Sequence, residues 1–184
     1  MALAARRHAL WALAGVSFAE SSFFPLPPDI LLIPMVIANR ARAWLIAGVC
    51  TVASVAGGVF GYAIGFFLFE TVGRRVVEFY GYGEKFETFQ GWYNEYGLLI
   101  VFAAGLTPLP YKVFTIASGV TGLGFVTFLV GSVVSRGARF YIEAALLWWL
   151  GEPIRLFLER HLQWATAGFV VLLVGGFVVL RLLV

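Results

Sequence analysis

Long apolar runs interrupted at a few polar points set the pattern of this chain. From Trp44 to Phe69 no charged residue occurs, and that stretch suffices for one full, slightly tilted membrane crossing. A second apolar run, Leu98 to Ser135, is too long for a single crossing of about 20 residues, and Pro108, Pro110 and Lys112 interrupt it. Proline lacks the amide hydrogen and clashes with the preceding turn, so no straight helix passes both prolines. The pieces on either side are each too short to cross roughly 30 Å of hydrocarbon. The pattern therefore predicts a re-entrant hairpin over 98–122 that enters part-way, breaks at Pro-Leu-Pro and leaves on the same side. Broken backbone at membrane depth survives only against protein or a water-filled cavity, so this break should line one.

A related stretch lies upstream. Phe24-Pro25-Leu26-Pro27-Pro28-Asp29 matches Thr107-Pro108-Leu109-Pro110-Tyr111-Lys112 at one offset of 83 residues, with Asp29 falling on Lys112. Two broken apolar segments in corresponding places point to an inverted-repeat transporter with its site near the midplane. The first hairpin is expected over 8–38. Reading its start as a secretory signal cleaved before Glu20 would destroy the first half of the repeat. Transmembrane helices are expected over 44–69, 125–149 and 164–183. Residues 70–97 mix charges with aromatic residues (Phe79, Tyr80, Trp92, Tyr96), the pattern of an amphipathic segment lying in the interface. The expected class is an all-α polytopic membrane protein of two inverted halves. Each half holds a proline-broken hairpin and a transmembrane helix, and one more transmembrane helix ends the chain.

Composition agrees. The 184 residues are 61% hydrophobic and 12% charged, about half the charged fraction of a soluble domain. The net charge of +3 comes from scattered residues, with no basic stripe for nucleic acid. The single cysteine, Cys50, excludes an intramolecular disulfide and a cysteine zinc cluster. His8 and His161 lie apart at polar edges, so no metal centre is expected. No phosphate loop, HExxH or GxSxG occurs, so neither an enzyme nor a cofactor is expected. Arg6, Arg7, Arg40, Arg42, Arg155 and Arg160 fall on one predicted face. Arg74, Arg75, Lys85 and Arg181 fall on the other, which favours a cytoplasmic N-terminus. Gly57, Gly58, Gly61 and Gly65 form overlapping small-residue motifs that admit a second backbone closely, and they allow a homodimer without requiring one.

Three charges fall inside the predicted span 125–149: Arg136, Arg139 and Glu143. A central arginine costs roughly 2.5–3.5 kcal/mol on insertion scales, so it normally faces protein and has a partner. Spacings of three and four place all three on one stripe, where Arg139 and Glu143 could pair locally. Arg136 is then left to Glu20 or Asp29. A guanidinium also suits bidentate phosphate contact. Lys112 stands in the first turn after Pro110, where the helix dipole favours an acid; it implies a nearby carboxylate or a site for an anion. Glu20 and Asp29 are candidate intramembrane proton carriers, or ion-pair partners that merely fix the fold.

These pieces together resemble the DedA family, also called VTT-domain or SNARE-associated membrane proteins. The resemblance rests on Glu20 with Pro25-Leu-Pro-Pro-Asp29, on Gly57-Gly58-x-x-Gly61-Tyr62-x-x-Gly65, on Thr107-Pro-Leu-Pro-Tyr-Lys112 and on Ser135-Arg-Gly-Ala-Arg-Phe-Tyr141. The third motif and its continuation to Gly119 look most like the YqaA-type subgroup, whereas many members carry an arginine-containing version. The resemblance implies facing re-entrant hairpins and movement of lipids such as undecaprenyl phosphate or a phospholipid, linked to protons, in the bacterial inner membrane. It matches the family's acids to Glu20 and Asp29 and its paired arginines to Arg136 and Arg139.

The expected function is thus a flippase for an anionic lipid headgroup. Lys112, Arg136 and Arg139 would hold phosphate, Glu20 and Asp29 would couple to protons, and Pro25, Pro27, Pro108 and Pro110 would form the breaks. The rivals are a proton-coupled transporter of a small solute or ion, a passive scramblase, and an assembly protein whose buried charges only lock the hairpins.

Overall fold

A computed structural model describes residues 7–23, 27–107 and 109–150. The expected span over 164–183 lies outside the described residues, as do Pro25 and Pro108. All elements described are helical: α1 Arg7–Ser22, α2 Asp29–Ala38, α3 Ala43–Leu68, α4 Arg74–Phe79, α5 Gly83–Leu106, α6 Tyr111–Val120 and α7 Phe125–Leu150. A short 3-10 turn at Arg40–Arg42 leads into α3, and a π-turn at Phe69–Gly73 joins α3 to α4. Two stretches are long and apolar enough to cross a membrane, Arg40–Phe79 and Phe125–Leu150.

The helix boundaries follow proline chemistry. Thr107 precedes Pro108 and is extended (φ −86°, ψ 165°), as the residue before a proline is pushed to be, and α5 ends just before it. Helix α6 restarts behind Pro110, and α2 starts behind Pro27 and Pro28. By contrast, α5 runs unbroken through Gly97 and Leu98, where the sequence changes from polar to apolar. A change of hydropathy is no helix stop, and no proline stands there.

The two Pro-Leu-Pro stretches sit in matching surroundings. Each follows one helix (α1, α5) and precedes a helix of 10 residues (α2, α6), then a helix of 26 residues (α3, α7). Packing repeats too: α1 lies on α3 as α5 lies on α7, and α6 crosses to α3 as α2 crosses to α7. Helices α3 and α7 meet each other at the centre.

Lipid tails are as apolar as leucine, so close packing and hydrogen bonds rather than hydrophobic burial must hold such helices together. Glycines make the contacts possible. A Cβ on Gly57 would collide with the Phe18 carbonyl of α1, and one on Gly65 with the Ile116 carbonyl of α6. Serines then bridge the α1–α3 seam: Ser17 Oγ donates to the Cys50 carbonyl (2.9 Å) and Ser22 Oγ to the Gly57 carbonyl (3.0 Å). Away from the seams, Val52, Phe60 and Phe67 of α3 and Val126, Val133 and Ile142 of α7 are exposed, an apolar exterior suited to lipid.

Two apolar clusters form the interior. Leu13, Leu32, Val36, Ile46, Cys50, Phe140 and Leu147 make one; Tyr93, Val101, Ala104, Tyr111, Leu123 and Phe128 make the other. Helix α7 contributes to both, and its residues between Phe128 and Phe140 include Ser132, Ser135, Arg136 and Arg139. The buried charges therefore occupy a layer between the clusters.

Candidate functional site

The charged layer is assembled from both halves of the chain. Among the described residues Arg136 is the largest fully buried side chain, 2% exposed. Its Nη2 donates to Glu20 Oε2 at 2.9 Å and its Nε to Ser54 Oγ at 2.6 Å. Ser21 Oγ donates to Glu20 Oε2 (3.1 Å) and lies 2.6 Å from Ser54 Oγ, so the Ser54 proton points to Ser21. The result is a closed ring of hydrogen bonds through Arg136, Glu20, Ser21 and Ser54, an arrangement in which each bond polarises the next. The guanidinium carbon also sits 4.9 Å from the Tyr111 ring centre and 4.7 Å from that of Phe140. Two aromatic faces thus replace part of the water a cation loses on burial.

Arg139, one turn further along α7, is held differently. Its Nη2 donates to Asp29 Oδ2 at 3.0 Å and its Nη1 to the Thr107 carbonyl at 3.1 Å. Asp29 opens α2 directly after the first proline break, and Thr107 closes α5 directly before the second. One guanidinium therefore ties the two breaks together. Asp29 also obeys the preference for an acid at a helix start. The Arg139 side chain is 17% exposed and Asp29 4%, whereas in the other pair the acid, Glu20, is the more open member at 16%. Arg139 is the more reachable cation of the two.

Arg139 does not pair with Glu143 as local spacing allowed; it reaches Asp29 instead. Lys112 stands at the second position of α6, partly buried, with no ion pair among the described residues. Its neighbour Tyr111 is fully buried over Arg136, which joins the start of α6 to the layer. Pro27 and Pro110 flank the starts of α2 and α6. Gly58 faces the Tyr111 hydroxyl and Gly61 faces Thr115, so the glycine-rich face of α3 receives α6 directly behind the second break. Among the described residues no group of histidine, cysteine and carboxylate side chains could hold a metal ion.

Sequence reasoning missed Ser21, Ser54, Thr107 and Phe140. Serines and a backbone carbonyl carry no distinguishing signal in a helix-rich chain. Tyr111 lies inside the Pro-Leu-Pro-Tyr-Lys motif, and its place beside Lys112 was the available hint.

Buried arginine–carboxylate pairs inside an all-helical bundle with an apolar exterior, two of whose stretches are long and apolar enough to cross a bilayer, define a helical membrane protein. The VTT-domain model matches residues 26–148, and the chain belongs to that family, the DedA family. It is similar to an uncharacterized protein of Haemophilus influenzae, 39% identical over 175 residues, covering 95% of this chain and 91% of the relative. An uncharacterized protein of Histophilus somni is 36% identical over 181 residues, covering 98% and 94%. No solved structure matches. The family goes with a transporter-like role in a membrane and is generally non-enzymatic.

Proposed function

We propose that this protein moves an anionic lipid headgroup, a polyprenyl phosphate or a phospholipid, between the leaflets of the bacterial inner membrane, linked to protons. The observation that carries this reading is Arg139, a partly accessible guanidinium held where both helix breaks converge. Its planar fork matches two phosphate oxygens, and a phosphate that takes it must displace Asp29. Asp29 then needs either a proton or another cation, because an uncompensated buried carboxylate costs several kcal/mol. Lys112, partly buried at the start of α6, adds a second cation for the headgroup. Arg136, locked by four side chains, holds the layer together and supplies positive potential, and Glu20 is its exchangeable partner. The two breaks act as re-entrant hairpins of inverted halves, each opening to its own side, with the N-terminus in the cytoplasm. The repeated helix lengths and packing support that architecture.

The test is a proteoliposome assay with fluorescent lipid reporters, including a polyprenyl phosphate, and an imposed pH gradient. We expect movement that quickens with the gradient, and a loss of at least tenfold in Arg139→Gln and Lys112→Gln variants that remain folded. Intact movement in both variants overturns the reading. Movement indifferent to the gradient makes the protein a scramblase. No movement of any lipid makes it a carrier of a small solute or ion.

A further inference from the structure

Three buried side-chain atoms among the described residues have no hydrogen-bond partner: Tyr111 Oη, Ser132 Oγ and Asp29 Oδ1. All three belong to the charged layer. Buried polar groups are nearly always paired, so atoms left over in one place call for an explanation. Asp29 Oδ1 belongs to the carboxyl group that an incoming phosphate would displace from Arg139. The other two are hydroxyls whose protons have no acceptor.

Tyr111 opens α6 behind Pro110 and is 0% exposed, with its ring centre 4.9 Å from the Arg136 guanidinium carbon. Phe140 makes the equivalent contact at 4.7 Å without a hydroxyl. The ring contact with the cation therefore does not need Oη. A buried tyrosine hydroxyl usually finds a partner, and one without a partner lowers stability. Room is nevertheless kept for it on α3, where a Cβ on Gly58 would stand 2.9 Å from Oη. Ser132 is also 0% exposed and lies one turn before Arg136 on α7, so it reaches the layer from another element. Were the two hydroxyls to turn toward each other, one proton would still lack an acceptor.

A further unspent donor stands next in the chain. Lys112 has no ion pair among the described residues. Two hydroxyls and an ammonium in one region are short of acceptors, and a phosphate group brings several acceptor oxygens. We propose that the hydroxyls of Tyr111 and Ser132 are ligands of the headgroup phosphate, donating to oxygens that Arg139 and Lys112 leave uncovered. This deepens the proposed function and rests on it. Both hydroxyls are sealed in the arrangement described, so they act when α6 shifts on the glycine-rich face of α3 and admits the phosphate.

The test is binding, read on the full chain in detergent as the rise of the thermal unfolding midpoint with ligand concentration. The probes are farnesyl phosphate and dihexanoyl phosphatidate, with farnesol as the phosphate-free control. Without ligand, Tyr111→Phe and Ser132→Ala should melt no lower than the wild type, because each removes a hydroxyl that has no partner. With ligand, each should need about tenfold more of whichever phosphate probe stabilises the wild type, as expected for one lost hydrogen bond to a charged group. The response to farnesol should not change. A lower midpoint without ligand, wild-type affinity in both variants, or a weakening that farnesol shares overturns the proposal. If one variant alone binds more weakly, the other hydroxyl is struck from the site. The two phosphate probes separate a polyprenyl from a glycerolipid source. If neither stabilises the wild type, the proposed function falls and this assignment with it. If the wild type responds and both variants respond equally, the assignment falls alone.

Discussion

Arg74 and Glu70 approach to 3.0 Å across one helical turn, with side chains 60% and 47% exposed. Arg139 and Asp29 also approach to 3.0 Å, from residues 110 apart in the chain, with side chains 17% and 4% exposed. Distance does not distinguish the two pairs; surroundings do. The first lies in the charged, aromatic segment after α3, beside exposed Phe79 and Tyr80, where solvent screens it and long side chains give up entropy to hold it. The second joins two helix breaks in a layer bounded by apolar clusters, where each charge depends on the other. One pair decorates a helix; the other fixes how the halves of the molecule meet.

Removing the cation of the buried pair is the harshest way to test that contrast. Arg139→Ala strands Asp29 and should lower stability by about 3–5 kcal/mol, read as a fall in the thermal unfolding midpoint in detergent. Combining Arg139→Gln with Asp29→Asn should recover most of the loss, since no buried charge is then unmatched, while lipid movement stays abolished. A single variant no less stable than wild type would erase the contrast. Arg136→Lys comes next. An ammonium cannot serve Ser54 and Glu20 together while lying between two rings, and a loss of about 2 kcal/mol is expected from the lost charged hydrogen bond and ring contact. Gly65→Ala tests the seam rather than the charges. Its new methyl meets the Ile116 carbonyl and should cost about 1–3 kcal/mol, with α6 displaced from α3 in cross-linking distances. Arg74→Ala should change the midpoint least, by no more than about 0.5 kcal/mol.

Much of the molecule was legible in one dimension. The charge-free run from Trp44 marked α3, because a membrane imposes length and composition directly on sequence. The recurring Pro-Leu-Pro located the end of α5 and the start of α6 at the second break and the start of α2 at the first, since proline acts on its own backbone and its nearest neighbours. Arg136, Arg139, Glu20 and Asp29 were visible as charges out of place. Residues 70–97 were less legible as elements, because the helix of α5 runs through the boundary that hydropathy suggested.

The pairing of those charges was decided elsewhere. Local spacing offered Arg139 to Glu143, four residues away, yet Arg139 reaches Asp29, 110 residues away. Ser54 entered the layer without any signal in its own neighbourhood, and Thr107 and Phe140, though inside recognisable motifs, had no assigned role. Read alone, the chain told where prolines interrupt helices and which charges cannot face lipid, because both are local costs. Only the tertiary structure decided which acid meets which base, because that choice depends on the crossing of α2, α3 and α7, and residues more than a hundred positions apart share no local rule.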